Sequence, residues 1–389
     1  MNTLPATIVA ALASVLGDGP VALHEPRLNG NESWYLSDCL ASTYISSVGA
    51  YVDRFETDLA TFTGAKHAVA MVNGTSALHI ALLLAGVQPS DEVLVPALSF
   101  VATANAVHYC NATPHFLDSQ ESTLGIDPAA MHKWLAETTT MGNGACVNQA
   151  TGRRIAAVVP MHAYGHPCDV VGVMEVAAEY GLPVVEDAAE SLGSLVNGQH
   201  TGTFGLLGTL SFNGNKIVTT GGGGAILTND SHLAQRAKHL TTTAKVPHRW
   251  EYTHDEVGYN YRMPNINAAL GCAQLEQIES FITSKRRLFE RYREALTGIS
   301  GVTLFREPPG TRSNYWLQTL LLDEDQSHQR DTVLEVLNDN GFMARPAWTL
   351  LPSLKPFRDC PRAPLPVASL LGQRIINIPS SSGLSETRS

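Results

Sequence analysis

The sequence predicts an α/β fold in which a large domain with a mainly parallel sheet is followed by a smaller α+β domain. Between Phe55 and Asp230, short β-rich runs alternate with amphipathic helical stretches, which is the pattern of strands joined by crossover helices. The chain of 389 residues is longer than one hydrophobic core usually supports. We therefore expect two domains, at residues 1–263 and 264–389.

A βαβ unit is the clearest element of the large domain. Residues 155–161 and 182–187 are apolar runs that predict buried strands. Between them, residues 169–180 begin with an N-cap aspartate, show apolar residues at helical spacing and stop at Gly181, so they predict a helix. Further strands are predicted, in chain order, at residues 91–96, 209–213 and 225–229.

The second domain is predicted to begin with a strongly helical stretch at residues 264–296. After Gly301 the pattern changes to short strand and helix signals, which indicates a small α+β domain. The predicted elements of this domain lie at residues 315–322, 330–340, 342–345 and 374–378. The polar tail, residues 380–389, is predicted to be mobile.

Composition excludes several classes of protein. Hydrophobic residues make up 44% of the chain and charged residues 16%, which is typical of a globular protein. The formal net charge of −10 argues against nucleic acid as the main partner, because phosphate binding needs a basic surface. One basic cluster, from Lys285 to Arg293, alternates with acidic residues at helical spacing and so predicts a solvated helix face.

The chain shows no sign of a membrane or secretory destination. No run approaches the roughly 20 apolar residues that span a bilayer. The apolar start at residues 5–15 lacks a basic flank, since Arg27 is the first Lys or Arg. The six cysteines have neither zinc-site spacing nor disulfide density. We therefore expect a cytoplasmic protein with reduced thiols and no membrane partner.

Lys216 is the first candidate for chemistry. It lies in SFNGNKIVTTGGGG, residues 211–224, between two predicted strands. Consecutive glycines let the backbone approach a ligand closely, and a lysine held away from solvent beside them suits Schiff-base formation with a carbonyl group. The alternative is a surface lysine beside a flexible loop, which this segment taken alone favours.

Two further segments predict parts of a ligand site. Asp187 ends a predicted strand, and ligands of open α/β sheets bind at the carboxyl ends of strands. A carboxylate there can keep a pyridine nitrogen protonated, although a helix N-cap is an equal alternative. The segment 73–76 (NGTS) directly precedes an apolar helix, so its backbone N–H groups and hydroxyls predict a phosphate site, with a plain helix cap as the alternative.

Other candidate ligands carry weaker signals. Phe100 could stack on an aromatic ring, although a core position is the commoner fate of a single Phe. His162, His166 and Cys168 lie close together in the sequence, but glycine and proline separate them and no fourth ligand is in view. We therefore predict no metal site.

Together these segments resemble the sugar aminotransferase family called DegT/DnrJ/EryC1/StrS, whose members are pyridoxal 5'-phosphate (PLP) enzymes of the aspartate-aminotransferase fold. The resemblance covers nearly the whole chain, and the order of its segments is highly specific. These segments are NGTSALHIAL (73–82), PALSFVATANAV (96–107), EDAAESLGS (186–194), SFNGNK with TTGGGG (211–224) and GYNYRMPNINAALG (258–271).

The resemblance implies roles for individual residues. Lys216 would form the Schiff base with PLP and also move the proton, and Asp187 would face the pyridine nitrogen. Glu190 matches the position beside the ring hydroxyl, and Phe100 matches the aromatic residue that stacks on the ring. The implied phosphate site consists of Gly74, Thr75 and Ser211, together with Asn260 from a neighbouring subunit, so the resemblance also implies a homodimer with shared active sites. Ser76, from the NGTS segment, is added to the predicted cofactor-binding residues.

The resemblance implies a reaction as well. Glutamate would convert PLP to pyridoxamine 5'-phosphate, which would then aminate a nucleotide-linked keto-sugar. Dehydratases of the family have His in place of the lysine, so Lys216 favours transamination. The segments HEPRLNGNE (24–32), YISSVGAYVDRFE (44–56) and SNYWL (313–317) resemble the branch that aminates C4 of UDP-linked 4-keto-6-deoxy-N-acetylhexosamines for surface glycans.

Alternatives remain open at this stage. Another keto-sugar is one, either a 3-keto sugar or a GDP-linked 4-keto hexose, and a regulatory protein that keeps the fold without the chemistry is another. Contacts with the sugar nucleotide are predicted for Tyr44, Ser46, Ser47 and Gly49, and ordinary loop structure is an equal alternative for them.

Overall fold

A computed structural model describes residues 3–142 and 144–385 of the chain. The helices of this part are α1 (Leu4–Leu16), α2 (Glu32–Ser42), α3 (Ala50–Thr63), α4 (Gly74–Leu84), α5 (Val101–Tyr109), α6 (Pro128–Thr138), α7 (Val170–Glu179), α8 (Ser231–Thr241), α9 (Asn265–Leu275), α10 (Ile278–Leu296), α11 (Arg330–Asp339) and α12 (Pro366–Arg374). The strands are β1 (His67–Met71), β2 (Glu92–Pro96), β3 (Thr113–Leu117), β4 (Thr139–Gly142), β5 (Ala145–Asn148), β6 (Arg154–Val158), β7 (Val185–Asp187), β8 (Leu195–Val196), β9 (Gln199–His200), β10 (Leu207–Ser211), β11 (Gly224–Thr228), β12 (Val302–Leu304), β13 (Thr311–Arg312), β14 (Gln318–Leu322), β15 (Arg345–Pro346) and β16 (Ile375–Ile378).

The large domain is built around strands in the order β3-β2-β6-β7-β10-β11-β1. The strand β2 pairs in parallel with β3 and β6, and β7 pairs in parallel with β10. Parallel bridges from Val158 to Val184 and from Met161 to Asp187 connect β6 to β7. The pairings of β11 with β10 and β1 are antiparallel, as is the β4–β5 extension beside β6. The predicted mainly parallel sheet is therefore confirmed.

The predicted βαβ unit corresponds to β6, α7 and β7. The side chain of Asp169 caps α7 by accepting a hydrogen bond from the Gly172 N–H at 3.0 Å, and Gly181 follows the helix at a positive φ of 64°. Both strands are shorter than predicted, because residues 159–161 and 182–184 make single bridges instead of a continuous ladder. The unit places the carboxyl end of β7, and so Asp187, at the edge of a cavity.

The smaller domain contains the antiparallel sheet β12-β14-β16-β15. Its core includes apolar residues of α10 and α11, but also Ile8 and Leu12 of α1. The first helix of the chain therefore packs with the C-terminal elements, and the division at residues 263 and 264 stays a prediction. The strand predicted at residues 342–345 is replaced by the two-residue β15, since Phe342 makes an isolated parallel bridge with Val21 instead of joining the strand.

Two expectations about the C-terminal part are wrong. Lys285 does not lie on a solvated face, because its side chain is fully buried and its Nζ donates to the carbonyl oxygen of Trp316 at 3.1 Å and to that of Ser380. Burial lowers the pKa of Lys285 well below its ordinary value. The tail expected to be mobile is ordered as far as Ser385, with Ser380 fully buried, and residues 386–389 lie outside the described residues.

Two further expectations concern the state of the cysteine thiols and the presence of membrane-spanning helices. All six cysteines are free thiols, and Cys360 is the partly exposed one. Within the described ranges, no helix combines the length and the apolar character needed to cross a membrane. The cytoplasmic location stays a prediction.

Candidate active site

A cavity of about 300 Å³ lies between the carboxyl ends of β7 and β10 and the start of α4. It brings together most of the side chains that the sequence singles out. The predicted residues that line it are Gly74, Thr75, Phe100, Asp187, Glu190, Ser211 and Lys216. Ser76 and Asn260 do not line this cavity.

Lys216 reaches into the cavity from the turn that follows β10. Its backbone N–H donates to the Asn213 carbonyl at 3.0 Å, which keeps the turn tight. Its ammonium donates to Glu190 Oε1 at 3.0 Å and lies 3.8 Å from the ring centroid of Trp316. Since only 12% of the Lys216 side chain is exposed, the alternative of a free surface lysine is wrong.

Glu190 is the acidic partner of Lys216. Its second oxygen, Oε2, accepts the backbone N–H of Tyr164 at 2.8 Å. Tyr164 takes a left-handed conformation with φ of 58°, which is uncommon for a non-glycine residue. Burial raises the pKa of Glu190, and the neighbouring Lys216 charge acts in the opposite direction. The result is a carboxyl group that lies next to the amine and accepts a hydrogen bond from it.

Asp187 is fixed at the carboxyl end of β7. Its Oδ2 accepts the Thr103 hydroxyl at 2.7 Å and its Oδ1 accepts the Ala189 N–H at 3.2 Å. Burial raises the pKa of Asp187, although both hydrogen bonds and the Lys216 charge oppose the shift. No helix begins at Asp187 in the described chain, so the N-cap alternative is wrong.

Glu186, the residue before Asp187, faces away from the cavity and holds the surrounding loops. It accepts His162 Nε2 at 3.1 Å and the backbone N–H groups of Gly202, Phe204 and Gly205 at 2.7–2.8 Å. His162 Nδ1 accepts the Cys168 N–H at 3.1 Å, so the ring proton lies on Nε2. The histidine considered for metal binding therefore serves as a hydrogen-bond donor to a buried carboxylate.

The start of α4 forms an anion site. The Asn73 side chain accepts the Ser76 N–H at 2.7 Å and so caps the helix. A Cβ atom on Gly74 would lie 2.9 Å from the Ser211 Cβ, and one on Gly224 would lie 2.5 Å from the Asn73 carbonyl carbon. Glycine at both positions lets the strands approach the helix N-terminus, where N–H groups favour a phosphate.

Aromatic side chains form the outer wall of the cavity. Phe100 is 48% exposed, and its ring centroid lies 6.4 Å from that of Trp348. Trp348 stacks on Tyr164 with centroids 4.5 Å apart, and the Trp316 indole N–H donates to the Asn215 carbonyl at 2.7 Å. Sequence reasoning missed both tryptophans. The SNYWL segment contained Trp316, whereas no motif pointed to Trp348.

The remaining predicted residues lie outside this cavity. Asn260 is exposed and forms a bridge with Thr242. Tyr44, Ser46, Ser47 and Gly49 surround the start of α9. There the Asn265 side chain donates to the Tyr44 carbonyl at 2.6 Å, the Asn265 N–H donates to the Ser46 carbonyl at 2.6 Å, and a Cβ on Gly49 would meet the Asn265 side chain. Within one chain these residues therefore do not reach the candidate site.

The donor set of the cavity fits PLP. The cofactor combines an aldehyde, a pyridine ring and a phosphate. Lys216 could hold the aldehyde carbon, Asp187 could face the ring nitrogen, and the start of α4 with Ser211 could hold the phosphate. The fold and this cavity define a PLP-dependent enzyme of fold type I.

Comparison with known proteins gives the family. The model of the DegT/DnrJ/EryC1/StrS aminotransferase family matches residues 26–388, and the chain belongs to this family. GDP-perosamine synthase of Caulobacter vibrioides is 37% identical over 94% of this chain and 94% of that protein. Proteins of the same name from Vibrio cholerae and Escherichia coli O157:H7 are 36% and 37% identical over 94% of this chain, covering 95% and 94% of their own lengths.

Solved structures agree with this placement. The aminotransferase TlmJ from Streptoalloteichus hindustanus is 29% identical with a TM-score of 0.85, covering 95% of both chains. DesI, solved with its TDP-sugar product, is 30% identical with a TM-score of 0.82, covering 96% of this chain and 91% of that one. The chain is a PLP-dependent sugar-nucleotide aminotransferase.

Proposed function

We propose that this enzyme transfers the amino group of glutamate to C4 of a GDP-linked 4-keto sugar, with Lys216 as the residue that binds the cofactor and moves the proton. The observation that carries the proposal is the cavity itself. An amine, a carboxylate at a strand end and a helix N-terminus meet in it, and these are the three groups that PLP chemistry requires.

Lys216 is proposed to act twice. When bound, PLP supplies an electron sink that lets a carbon next to nitrogen lose its proton. Lys216 would hold the cofactor in the resting enzyme, and its free amine would take the proton from the donor carbon as a general base. Glu190, 3.0 Å from Lys216 Nζ, positions the free amine during this transfer. The Trp316 ring covers the amine on another side.

Asp187 is proposed to hold a proton at the pyridine nitrogen. The carboxyl group is fixed by Thr103 and Ala189, and its burial excludes water that would compete for the proton. A group fixed in this way stabilises charge that develops in the transition state without having to reorganise. Phe100 is proposed to cover one face of the ring, and Gly74, Thr75 and Ser211 to bind the phosphate.

The relatives bear on the sugar nucleotide. The three GDP-perosamine synthases favour a GDP-linked 4-keto sugar over the UDP-linked 4-keto-6-deoxy-N-acetylhexosamine that the sequence resemblance implied. The UDP-linked sugar stays a second candidate, because the resemblance of residues 24–32, 44–56 and 313–317 to that branch is an independent observation. Both candidates carry the keto group at C4.

A homodimer with shared sites is also proposed. Asn260 and the segment from Tyr44 to Gly49 lie outside the cavity of their own chain, so a second copy is needed to bring them to a site. Exposed side chains near them include those of Tyr44 at 62% and Val257 at 83%, which a partner subunit would cover.

The test of the proposed function follows the colour of the bound cofactor. Purified enzyme loaded with PLP should absorb visible light through the cofactor held by Lys216, and glutamate should remove that band as the cofactor is aminated. A panel of GDP-, UDP- and TDP-linked 3-keto and 4-keto sugars should then show which acceptor restores the band fastest. We expect the GDP-linked 4-keto sugar to do so. Faster recovery with the UDP-linked sugar would select the second candidate, and no band at all would indicate a protein without this chemistry.

A further inference from the structure

A second cavity adjoins the first. Its volume is about 600 Å³, and its lining shares Asn215, Trp316 and Trp348 with the cavity that contains Lys216. These three residues thus lie where the two cavities meet. Beyond them, the second cavity is lined by polar side chains from three separate parts of the chain, those of His24, Arg345 and Asn377.

The second cavity carries positive charge without a matching acid. Its lining contains Arg345 and no aspartate or glutamate, whereas both acids of the first cavity, Asp187 and Glu190, lie near Lys216. The Arg345 guanidinium donates to the carbonyl of its own neighbour Ala344 at 3.1 Å. Arg345 is exposed, and none of the ion pairs among the described residues includes it. Arg345 is therefore available to an anion from outside the chain.

His24 adds a hydrogen-bond donor to the same chamber. The residue is half-buried, but its Nδ1 atom is buried and has no hydrogen-bond partner among the described residues. Burial, with the charges of Lys285 and Lys216, lowers the pKa of His24 well below its ordinary value, although a hydrogen bond to the Asn215 backbone acts in the opposite direction. A neutral imidazole carries one N–H, for which the Asn215 carbonyl and a bound carboxylate would compete.

We propose that this second cavity binds the side-chain carboxylate of the amino donor, with Arg345 as its ion-pair partner and His24 as a further donor. The inference rests on the proposed function, in which glutamate is the donor. The α-carboxylate of an amino acid is attached to the reacting carbon and must stay beside Lys216. The second chamber adjoins the first at Asn215, Trp316 and Trp348, so a donor held beside Lys216 would extend its far end into it, and the site would select a dicarboxylic amino acid.

The first experiment measures binding without catalysis. Glutarate has the two carboxylates of glutamate but no amine, and its binding to the PLP-loaded enzyme can be followed through the fluorescence of Trp316 and Trp348. Arg345→Met should weaken glutarate binding about 10- to 100-fold, the effect of losing one charge-assisted hydrogen bond. Arg345→Lys should lose less of the affinity for glutarate than Arg345→Met, because lysine keeps the positive charge. Arg287→Met, at an exposed position on α10 away from the cavity, should leave glutarate binding unchanged.

The second experiment compares donors in the half-reaction that aminates the cofactor. Arg345→Met should raise the KM for glutamate about 10- to 100-fold and leave the KM for alanine, which has no side-chain carboxylate, unchanged. His24→Ala should also raise the KM for glutamate, but by a smaller factor than Arg345→Met. Retention of the visible cofactor band in each variant shows that the fold and the first cavity are intact.

The outcomes separate this site from the proposed function. Glutarate binding that is the same in Arg345→Met and wild type overturns the site, as does a variant that loses alanine and glutamate turnover equally. Arg345-dependent glutarate binding in an enzyme that glutamate does not aminate supports the carboxylate site, and it refutes the choice of glutamate as donor.

Discussion

Glu186 and Asp187 are consecutive residues of β7, yet the pKa values of their carboxyl groups move in opposite directions. Burial opposes ionisation of both. At Glu186, hydrogen bonds from His162, Gly202 and Gly205 outweigh burial and hold the pKa below its ordinary value. At Asp187 the two hydrogen bonds are not enough, and burial raises the pKa. Alternation of side chains along a strand thus puts the structural carboxylate of Glu186 and the carboxyl group of Asp187, which faces the cavity, on opposite faces.

Asp187→Asn should impair the chemical step more than binding. The amide keeps the size of the side chain but cannot hold a charge opposite the pyridine nitrogen. We expect kcat for amination of the cofactor by glutamate to fall about 100-fold or more, with KM for glutamate changed by less than about threefold. Stopped-flow absorbance measures both values. A change confined to KM would contradict the proposed role.

The same substitution should stabilise the cofactor-free protein at neutral pH. Folding raises the pKa of Asp187 above the value of about 3.9 that it has in the unfolded chain. At pH values between these two pKa values, the folded state therefore binds more protons than the unfolded chain. The stability that the carboxyl group contributes is present below this interval and is lost as pH rises through it. The amide of Asp187→Asn does not ionise, so the variant does not lose this stability as pH rises. Its Tm at pH 7 should therefore be higher than that of wild type. Asp53→Asn, at an exposed position on α3, is the matched control and should have no effect.

Glu186→Gln should destabilise the protein strongly. The carboxylate accepts three backbone N–H groups and the His162 ring, and an amide would turn its own N–H groups towards some of these donors. We expect a loss of about 3 kcal/mol in the free energy of unfolding, measured by urea denaturation. Glu175→Gln on the exposed side of α7 should change it by less than about 0.5 kcal/mol. Equal stability of the two variants would show that the Glu186 network is not required.

Lys285→Met should change how stability depends on pH. Because burial lowers the pKa of Lys285, the unfolded chain binds more protons than the folded state between the lowered pKa and about 10.4. Wild-type stability should therefore rise with pH through this interval, and the lysine contributes least at low pH. The methionine variant should lack this rise, as measured by urea denaturation at several pH values. A parallel rise in both proteins would contradict the assignment to Lys285.

Subunit complementation tests the proposed shared site. Lys216→Ala should abolish turnover, and Asn260→Ala should weaken cofactor binding about tenfold, so each protein alone is poorly active at limiting PLP. A mixed dimer contains one site with both native residues, and co-expression should restore up to about half of the activity per dimer. If Asn260 acts within its own chain, co-expression will restore nothing.

The fold was predictable from the sequence because its elements carry local signals. Apolar runs, the Asp169 cap and the glycine after α7 located the βαβ unit, and the predicted large domain with a mainly parallel sheet is confirmed. Lys285 shows the limit of such reasoning. Its helical spacing among acidic residues indicated solvent, whereas the carbonyl groups that bury it belong to residues far away in the chain.

The candidate site was predictable where motifs carried it. The residues from Gly74 to Lys216 that line the cavity came from segments with recognisable spacing. Trp348 and Arg345 carry no local pattern, because a cavity lining is produced by folding and leaves no periodic trace in the sequence. His24 lies in the HEPRLNGNE segment, which did not indicate its place in a cavity. Tyr44, Ser46, Ser47 and Gly49 lie apart from the cavity of their own chain, so a single sequence and a single subunit leave their role a prediction.

The packing of α1 has a consequence for synthesis of the protein. Its apolar face, with Ile8 and Leu12, is covered by α10 and α11, which follow roughly 260 residues or more later in the chain. At about 5–20 residues per second, α1 leaves the ribosome roughly 13 to 50 seconds before its partners exist. The apolar face of α1 therefore has no packing partner during that interval, and it stays exposed until α10 and α11 have been synthesised.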